Sequence, residues 1–318
     1  MKNIIKTIIG VTVIIALIIL SIIFSDYTFS TLQLSTLKIL AFICLGSVLY
    51  CFVVGEISRN NSQMDKLWSI LPIAYGWVTC AMGGFKIRLV IIAIIITLWG
   101  IRLTYNFAKK GAYKLKFWEG EEDYRWSILR KKKFLNTKFG WALFDLFFIC
   151  FYQNALVLGI TLPMVAIMDT TLSLGVIDII AICLALLFLV LETISDKEQW
   201  DFHETKKKEL KSGKTLDELE YPYSLGFNTK GLWGFMRHPN YLGEQGIWAS
   251  LYLFVIACGL GSYYIFHISF IFPLLLILLF IGSSTFGEMI SSGKYPKYKD
   301  YQKQVFKYLP VRKFNPNK

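Results

Sequence analysis

Apolar residues in this chain gather in runs close to 20 residues long, separated by segments rich in lysine, arginine and glutamate. An α-helix needs about 20 apolar residues to cross a bilayer. Runs of that kind fall at 4–24, 36–56, 67–83, 87–108, 141–160, 173–195, 241–260 and 263–285. They predict an all-α fold: a polytopic membrane helix bundle of about eight transmembrane helices, within a range of roughly seven to ten. The run at 67–83 is short and contains Pro72, so a tilted, broken or re-entrant segment is expected there. The run at 4–24 is longer than the apolar core of a secretory signal, and the FSDYTFS that follows has no small-residue cleavage pattern. It is read as a retained helix.

The polar segments sort by charge. Residues 25–35, 161–172 and 259–263 carry no lysine or arginine, whereas 109–140, 196–240 and 286–318 carry nearly all of them. Basic loops stay on the cytoplasmic side. Lys2 and Lys6 place the N-terminus with them, so both termini are expected in the cytoplasm. Lys86 and Arg88, at a tight outer turn, are the exception.

Composition sharpens this picture mainly by exclusion. The chain is 55% hydrophobic and 16% aromatic, with a mean hydropathy of +0.50, as in membrane proteins. The formal charge of +12 is spread over loops between apolar runs, so no nucleic-acid partner is expected and the bilayer itself is the expected surroundings. The six cysteines lie in apolar stretches without a CxxC pair, and the three histidines are scattered; neither a disulfide framework nor a metal site is expected. There is no GxGxxG or Walker-type loop and no Ser-His-Asp or Cys-His arrangement.

Polar chemistry concentrates at 231–248, GLWGFMRHPNYLGEQGIW, where a basic segment turns back into an apolar run. Pro239 suits the first turn of a helix, which puts Asn240 and Glu244 at i, i+4 on one face. Gly243 and Gly246 leave room beside it for a ligand or a second backbone. Arg237 and His238 read either as interfacial anchors or, with Tyr241, as part of a ligand site; the density of polar groups favours the site. Upstream, Asp196, Gln199 and His203 share a helical face just past the sixth run, and the irregular YPYSLGFNTK offers backbone N–H groups to an anion. Arg102, Tyr105 and Asn106 lie together at the end of the fourth run, either snorkelling or binding phosphate. The segment KFWEGEEDYRWSILRKKK reads as an amphipathic helix on the bilayer, able to meet a ligand on its other face. Asp65, Trp68, Ser69 and Tyr75, and Asp145, Tyr152, Gln153 and Asn154, offer polar groups at membrane depth. In the tail, Glu288 precedes Tyr295, Tyr298 and Tyr301, a stripe that reads as either an interfacial belt or a ligand contact.

GLWGFMRHPNYLGEQGIW, SDKEQWDFH and YPKYKDYQKQVFKYLP together resemble the steroid 5-alpha-reductase C-terminal superfamily. RLTYNFAKKGAY and WEGEEDYRW are similar to its bacterial branch, labelled a domain of unknown function. The resemblance covers 60–312, with 190–312 the main cofactor-binding half of a single integral membrane domain and 1–30 an extra N-terminal helix. It implies NADPH, an apolar lipid or steroid-like substrate, reduction of an enone C=C bond, and a bacterial inner membrane. By position it implies cofactor contacts at Arg102, Asp196, Asn240 and Glu244, with Tyr301 matching a tail tyrosine. Asn106, His203, Arg237, His238, Tyr241 and Tyr298 complete the candidate cofactor set. Where the reductases carry Gln-Glu-Leu-Pro this chain has Ser69-Ile70-Leu71-Pro72, and Trp99 stands where a carbonyl-binding tyrosine is expected. Asp65, Tyr75, Tyr105 or Tyr152 would then polarise the carbonyl from a neighbouring turn. Isoprenylcysteine carboxyl methyltransferases carry a similar Arg-His-Pro-x-Tyr motif and tail. S-adenosylmethionine-dependent methyl transfer is therefore the alternative, with a non-catalytic lipid-binding protein as a third reading.

Overall fold

The computed structural model describes residues 2–24, 27–260 and 265–316, without the side chains of 2–10. The expected charges of Lys2 and Lys6, and the start of the run at 263–285, lie outside the described residues. Those that are described form helices and loops with no strand. Five of the described helical segments are long and apolar enough to cross a membrane: 31–58, 87–109, 138–166, 176–211 and 268–294. The chain is an integral membrane protein. Its contacts divide it into two units, residues 1–181 with 251–275, and residues 182–250 with 276–318.

The first unit contains α1 (Lys2–Ile23), α2 (Thr31–Ser58), α3 (Gln63–Leu67), α4 (Leu71–Met82) and α5 (Ile87–Lys109). Short helices follow: α6 (Tyr124–Leu129), α7 (Lys138–Phe144), a wider π-helical stretch (Asp145–Tyr152), α8 (Gln153–Gly159) and α9 (Leu162–Ala166). A capping box starts α2: the Ser30 hydroxyl accepts from the Gln33 N–H at 3.1 Å while the Gln33 side chain accepts from the Ser30 N–H at 2.9 Å. Leu40, Cys44, Ser47, Cys51 and Gly55 form its buried stripe, at the three- and four-residue steps of an α-helix, and Phe42, Leu45 and Leu49 face outward. The expected run at 67–83 is broken before Pro72, which sits in the first turn of α4; twelve residues are too few to span a bilayer.

The outer-turn cations find partners within this unit. Arg88 is buried and donates to the Asp178 carboxylate at 2.7 and 2.9 Å and to the carbonyls of Leu172 and Ser173 at 2.9 Å each. Lys86 donates to the Met168 carbonyl at 2.8 Å. The Arg88 charge is thus neutralised by Asp178, while Lys86 is held by a carbonyl.

The segment 109–137 corrects one expectation. It is not an amphipathic surface helix: only α6 is helical, and Trp126 is buried. Gly120 holds φ at +127°, where an added Cβ would lie 2.1 Å from the Ala112 carbonyl oxygen, so no regular helix passes through it. Its acids pair locally, Asp123 with Arg125 and Glu122 with Arg130, both at 2.7 Å. The loop is tied to residues 60–66: Asn60 donates to the Gly120 carbonyl, Gln63 to that of Trp118, and the fully buried Lys66 to those of Phe117 and Glu119 at 2.8 and 2.7 Å.

The second unit holds most of α10 (Val176–Lys211), the first part of α11 (Pro239–Ala257), the end of α12 (Ile271–Lys294) and α13 (Tyr298–Gln304). Gly243 and Gly246 face α10: a Cβ at Gly243 would come within 2.6 Å of the Glu192 Cβ and 3.0 Å of its Cα, and one at Gly246 would meet the Phe188 ring. These glycines let two backbones approach closely. The tail closes over a core of Leu225, Phe227, Tyr298, Tyr301, Val305 and Phe314.

Two stability outcomes follow, both read by thermal unfolding in detergent. Asp178→Asn leaves Arg88 buried without its counter-charge and is expected to cost about 3–5 kcal/mol. Gly243→Ala must push backbone from backbone, with an expected loss of about 1–3 kcal/mol. Unchanged unfolding in either variant contradicts the packing described.

Candidate functional site

Residues 231–248 open as a single turn (Gly231–Gly234) and continue through Arg237 and His238 into α11, which begins at Pro239 as its fixed φ favours. Arg237 and His238 converge on Glu288 of α12. The Arg237 Nε donates to Glu288 Oε1 at 2.7 Å, and His238 Nε2 lies 2.9 Å from the same oxygen. Gln302 donates to Oε2 at 3.0 Å, and Lys307 Nζ is 3.9 Å from it. Arg237 also donates to the carbonyls of Gln302 and Val305, and the N–H groups of Arg237 and His238 donate to the carbonyls of Phe306 and Lys307 at 3.0 Å. A carboxylate only accepts, so His238 Nε2 carries a proton. Burial lowers the His238 pKa from its ordinary value, against the opposing pull of Glu288. The ring stacks on Tyr241 with centroids 5.2 Å apart.

Tyr298 and Tyr301 belong to the adjoining core. The Tyr301 hydroxyl donates to the carbonyls of Trp233 and Met236, and both rings pack on Phe227. The tail is thereby sewn to the loop that leads into α11.

One turn further, α10 and α11 present acids to each other. Asn240 Nδ2 donates to Asp196 Oδ1 at 3.3 Å. Glu244 is 4% exposed and accepts from Trp248 Nε1 at 3.4 Å, while Glu192, one turn before Asp196, is 3% exposed and packs on Gly243. Two acceptors here, Asn240 Oδ1 and Gln199 Oε1, are buried without a hydrogen-bond partner. Gln199 Nε2 donates to Nε2 of His203, exposed on the same helix, at 3.1 Å. Beside them Glu198, Phe202, Tyr223, Asn228 and Gly231 border a cavity of about 210 Å³. Just past the expected anion cradle at 221–230, an acid of the chain takes a main-chain donor: Glu198 accepts from the Leu232 N–H at 2.9 Å. Gly231, at φ +56°, is needed there because a Cβ would fall 1.9 Å from that carboxylate.

The remaining candidates belong to the first unit. Arg102, Tyr105 and Asn106 are on the last turns of α5, with Tyr105 61% exposed beneath Lys109. Asp65, on α3, neighbours Ser62, Asp123, Arg125 and Trp126, and burial raises its pKa above the ordinary carboxylate range. One of its oxygens is buried without a partner. Tyr152 ends the π-helical stretch, stacked on Phe148. Asp65, Tyr105 and Tyr152 thus each have a separate set of neighbours. Trp99 is fully buried and Ile70 partly exposed.

The profile of a protein family described as "Protein of unknown function (DUF1295)" matches residues 51–305. The chain belongs to the DUF1295 family. It is also 36% identical over 283 residues to an uncharacterized protein of the fission yeast Schizosaccharomyces pombe, covering 86% of this chain and 78% of that one. No solved structure matches it.

For this DUF1295 protein, sequence reasoning found Asp196, Asn240 and Glu244 but passed over Glu192 and Glu198. An acid inside an apolar run was the available signal for Glu192; for Glu198, nothing local marks it until the 231 turn folds back. The Glu288 clamp yields a further outcome. Glu288→Gln removes the counter-charge of buried Arg237 and is expected to cost about 3–5 kcal/mol in thermal unfolding. The lowered pKa of His238 means that the unfolded chain binds its proton first. Stability from this group is present above about pH 6.5 and is lost as pH falls toward the lowered value. Comparing unfolding across pH, His238→Gln should flatten that part of the profile; an unchanged slope would exclude His238 as its source.

Proposed function

We propose that this protein is an NADPH-dependent reductase of the C=C bond of an enone in a steroid-like or other lipid substrate. The observation that carries the reading is the α10–α11 face of the second unit, where Asp196, Asn240 and Glu244 meet above close-packed glycines at the end of a basic loop. The sequence resemblance to the steroid 5-alpha-reductase superfamily supports it. Carboxylates and unpartnered amide acceptors recognise donors, such as a carboxamide or ribose hydroxyls. Asp196, Asn240, Tyr241 and Glu244 would hold that part of the cofactor, with Gln199 and His203 beside them. The resemblance, rather than any contact, names Arg102 and Asn106 as candidate phosphate contacts, since arginine offers paired donors to an anion. Arg237, His238, Tyr298 and Tyr301 act in this reading as positioning residues, fixing the start of α11. When bound, NADPH supplies the hydride.

The chain's own part in the chemistry is to polarise the substrate carbonyl and exclude water. Asp65, Tyr105 and Tyr152 are the proposed donors, given Ile70 and Trp99 at the positions where the resemblance leads one to look for acid and phenol. An apolar substrate suits a protein whose outer residues face lipid. The proposed setting is a bacterial inner membrane with both termini in the cytoplasm, on the charge pattern and the resemblance.

The test is thermal stability of the detergent-purified protein with NADPH, NADH or S-adenosylmethionine. A ligand at about 100 times its dissociation constant stabilises the fold by about 2.7 kcal/mol. Stabilisation by NADPH, absent in Glu244→Gln of equal unliganded stability, is expected. Stabilisation by S-adenosylmethionine alone replaces the proposal with methyl transfer, and no shift with any of them favours a non-catalytic lipid-binding protein.

A further inference from the structure

The first unit buries a row of polar atoms without well-placed partners, on two of its membrane-spanning helices, on α4 and in the loop before α3. Asn61 Nδ2, Asp145 Oδ2, Asn154 Oδ1, Ser47 Oγ, Tyr75 OH and Thr79 Oγ1 are each buried with no partner in good hydrogen-bond geometry, although Asn61, Ser47 and Tyr75 each have a polar side chain close by. They are not scattered. Asn61 faces the Asp145 carboxyl, whose other oxygen takes the Cys150 thiol at 3.8 Å. Asn154 Nδ2 donates to the Cys150 carbonyl at 2.7 Å and lies 4.0 Å from Cys51 Sγ, and Ser47 neighbours Cys51 in turn. Cys44 sits beside the Tyr75 phenol, and Thr79 follows one turn along α4.

Two features show that this row is built rather than accidental. The π-helical stretch begins at Asp145, and its wider turn puts residues five apart, Asp145 and Cys150, on one face. An α-helix would place Ile149 there instead. At the other end, Asn61 is locked from the solvent side: its Oδ1 accepts from Arg130 at 2.5 Å and from Trp141 at 3.0 Å, and its N–H donates to Glu122. Glu122 and Arg130 are themselves partly exposed.

We propose that this row is a hydrated proton relay, with Asp145 as its proton-holding group. The members are strung along α2 for about 10 Å between Cys44 and Cys51 alone, so no single small ligand satisfies them, whereas a file of water does. Carboxyl, hydroxyl and phenol groups pass protons, and the two asparagines orient water. A proton enters from solvent past Glu122 and Arg130, and the Asp145 carboxylate takes it up as the neutral acid. Asp145 then gives it to the next water or hydroxyl toward Tyr75 and is recharged from solvent, so no oxidant or reductant is involved. The charged groups nearest Asp145 are Glu56 and Arg130, neither of them bonded to it. Ionisable groups inside membrane spans serve such relays. The relay stands independently of the reductase reading.

Infrared spectroscopy of the full-length protein in detergent tests it. The expected result is a carbonyl stretch of a protonated carboxylic acid that shifts promptly in D2O, disappears in Asp145→Asn and moves in Asp145→Glu. Asn61→Leu should keep the band and slow its shift. A band that no Asp145 variant alters means that the group holds no proton, and one that does not shift in D2O marks a sealed structural acid. Either result, or an unchanged exchange rate in Asn61→Leu, overturns the proposal.

Discussion

The second unit depends on one carboxylate. Glu288 accepts from Arg237, His238 and Gln302, which come from two separate stretches of chain. One is the loop that leads into α11, and the other is the short helix α13 of the tail. Buried ions contribute stability only when every charge and lone pair has a partner, and here the guanidinium is completed by two main-chain carbonyls as well. The consequence reaches beyond stability. The direction in which α11 leaves the loop, and with it the placement of Asn240 and Glu244, is set by where Arg237 and His238 are held.

This places the Arg-His-Pro motif in a different light from the one its composition invites. A basic pair at a membrane surface reads as an anchor or an anion site, yet both side chains are turned inward to an acid about 50 positions later in the chain. The tyrosines behave alike: spaced as a stripe, they pack against Phe227, and the Tyr301 hydroxyl bonds a carbonyl. In both cases the sequence marks that the residues matter and leaves open what they touch, because the partner is remote along the chain.

What was legible follows from range. Apolar runs report on a helix by themselves, so the membrane-helix class could be read directly, along with the break before Pro72 and the helix start at Pro239. The pairing of Asp196 with Asn240 was accessible by helical spacing on each side, though only folding joins the two faces. The loop at 109–137 was misread because its charge pattern suits an amphipathic helix, while Gly120 and the tethers from Asn60, Gln63 and Lys66 impose another path. The π-helical stretch was out of reach for the same reason. Its cause is packing against α2, and hydrophobic periodicity cannot distinguish one widened turn from two ordinary ones.

The α10–α11 face also constrains which part of a ligand it can recognise. Its groups are acids and amide acceptors, and Glu198 already takes a nearby main-chain N–H, so the face repels phosphate and attracts donors. A nicotinamide carboxamide, ribose hydroxyls, or the ammonium and sulfonium of S-adenosylmethionine all meet that requirement.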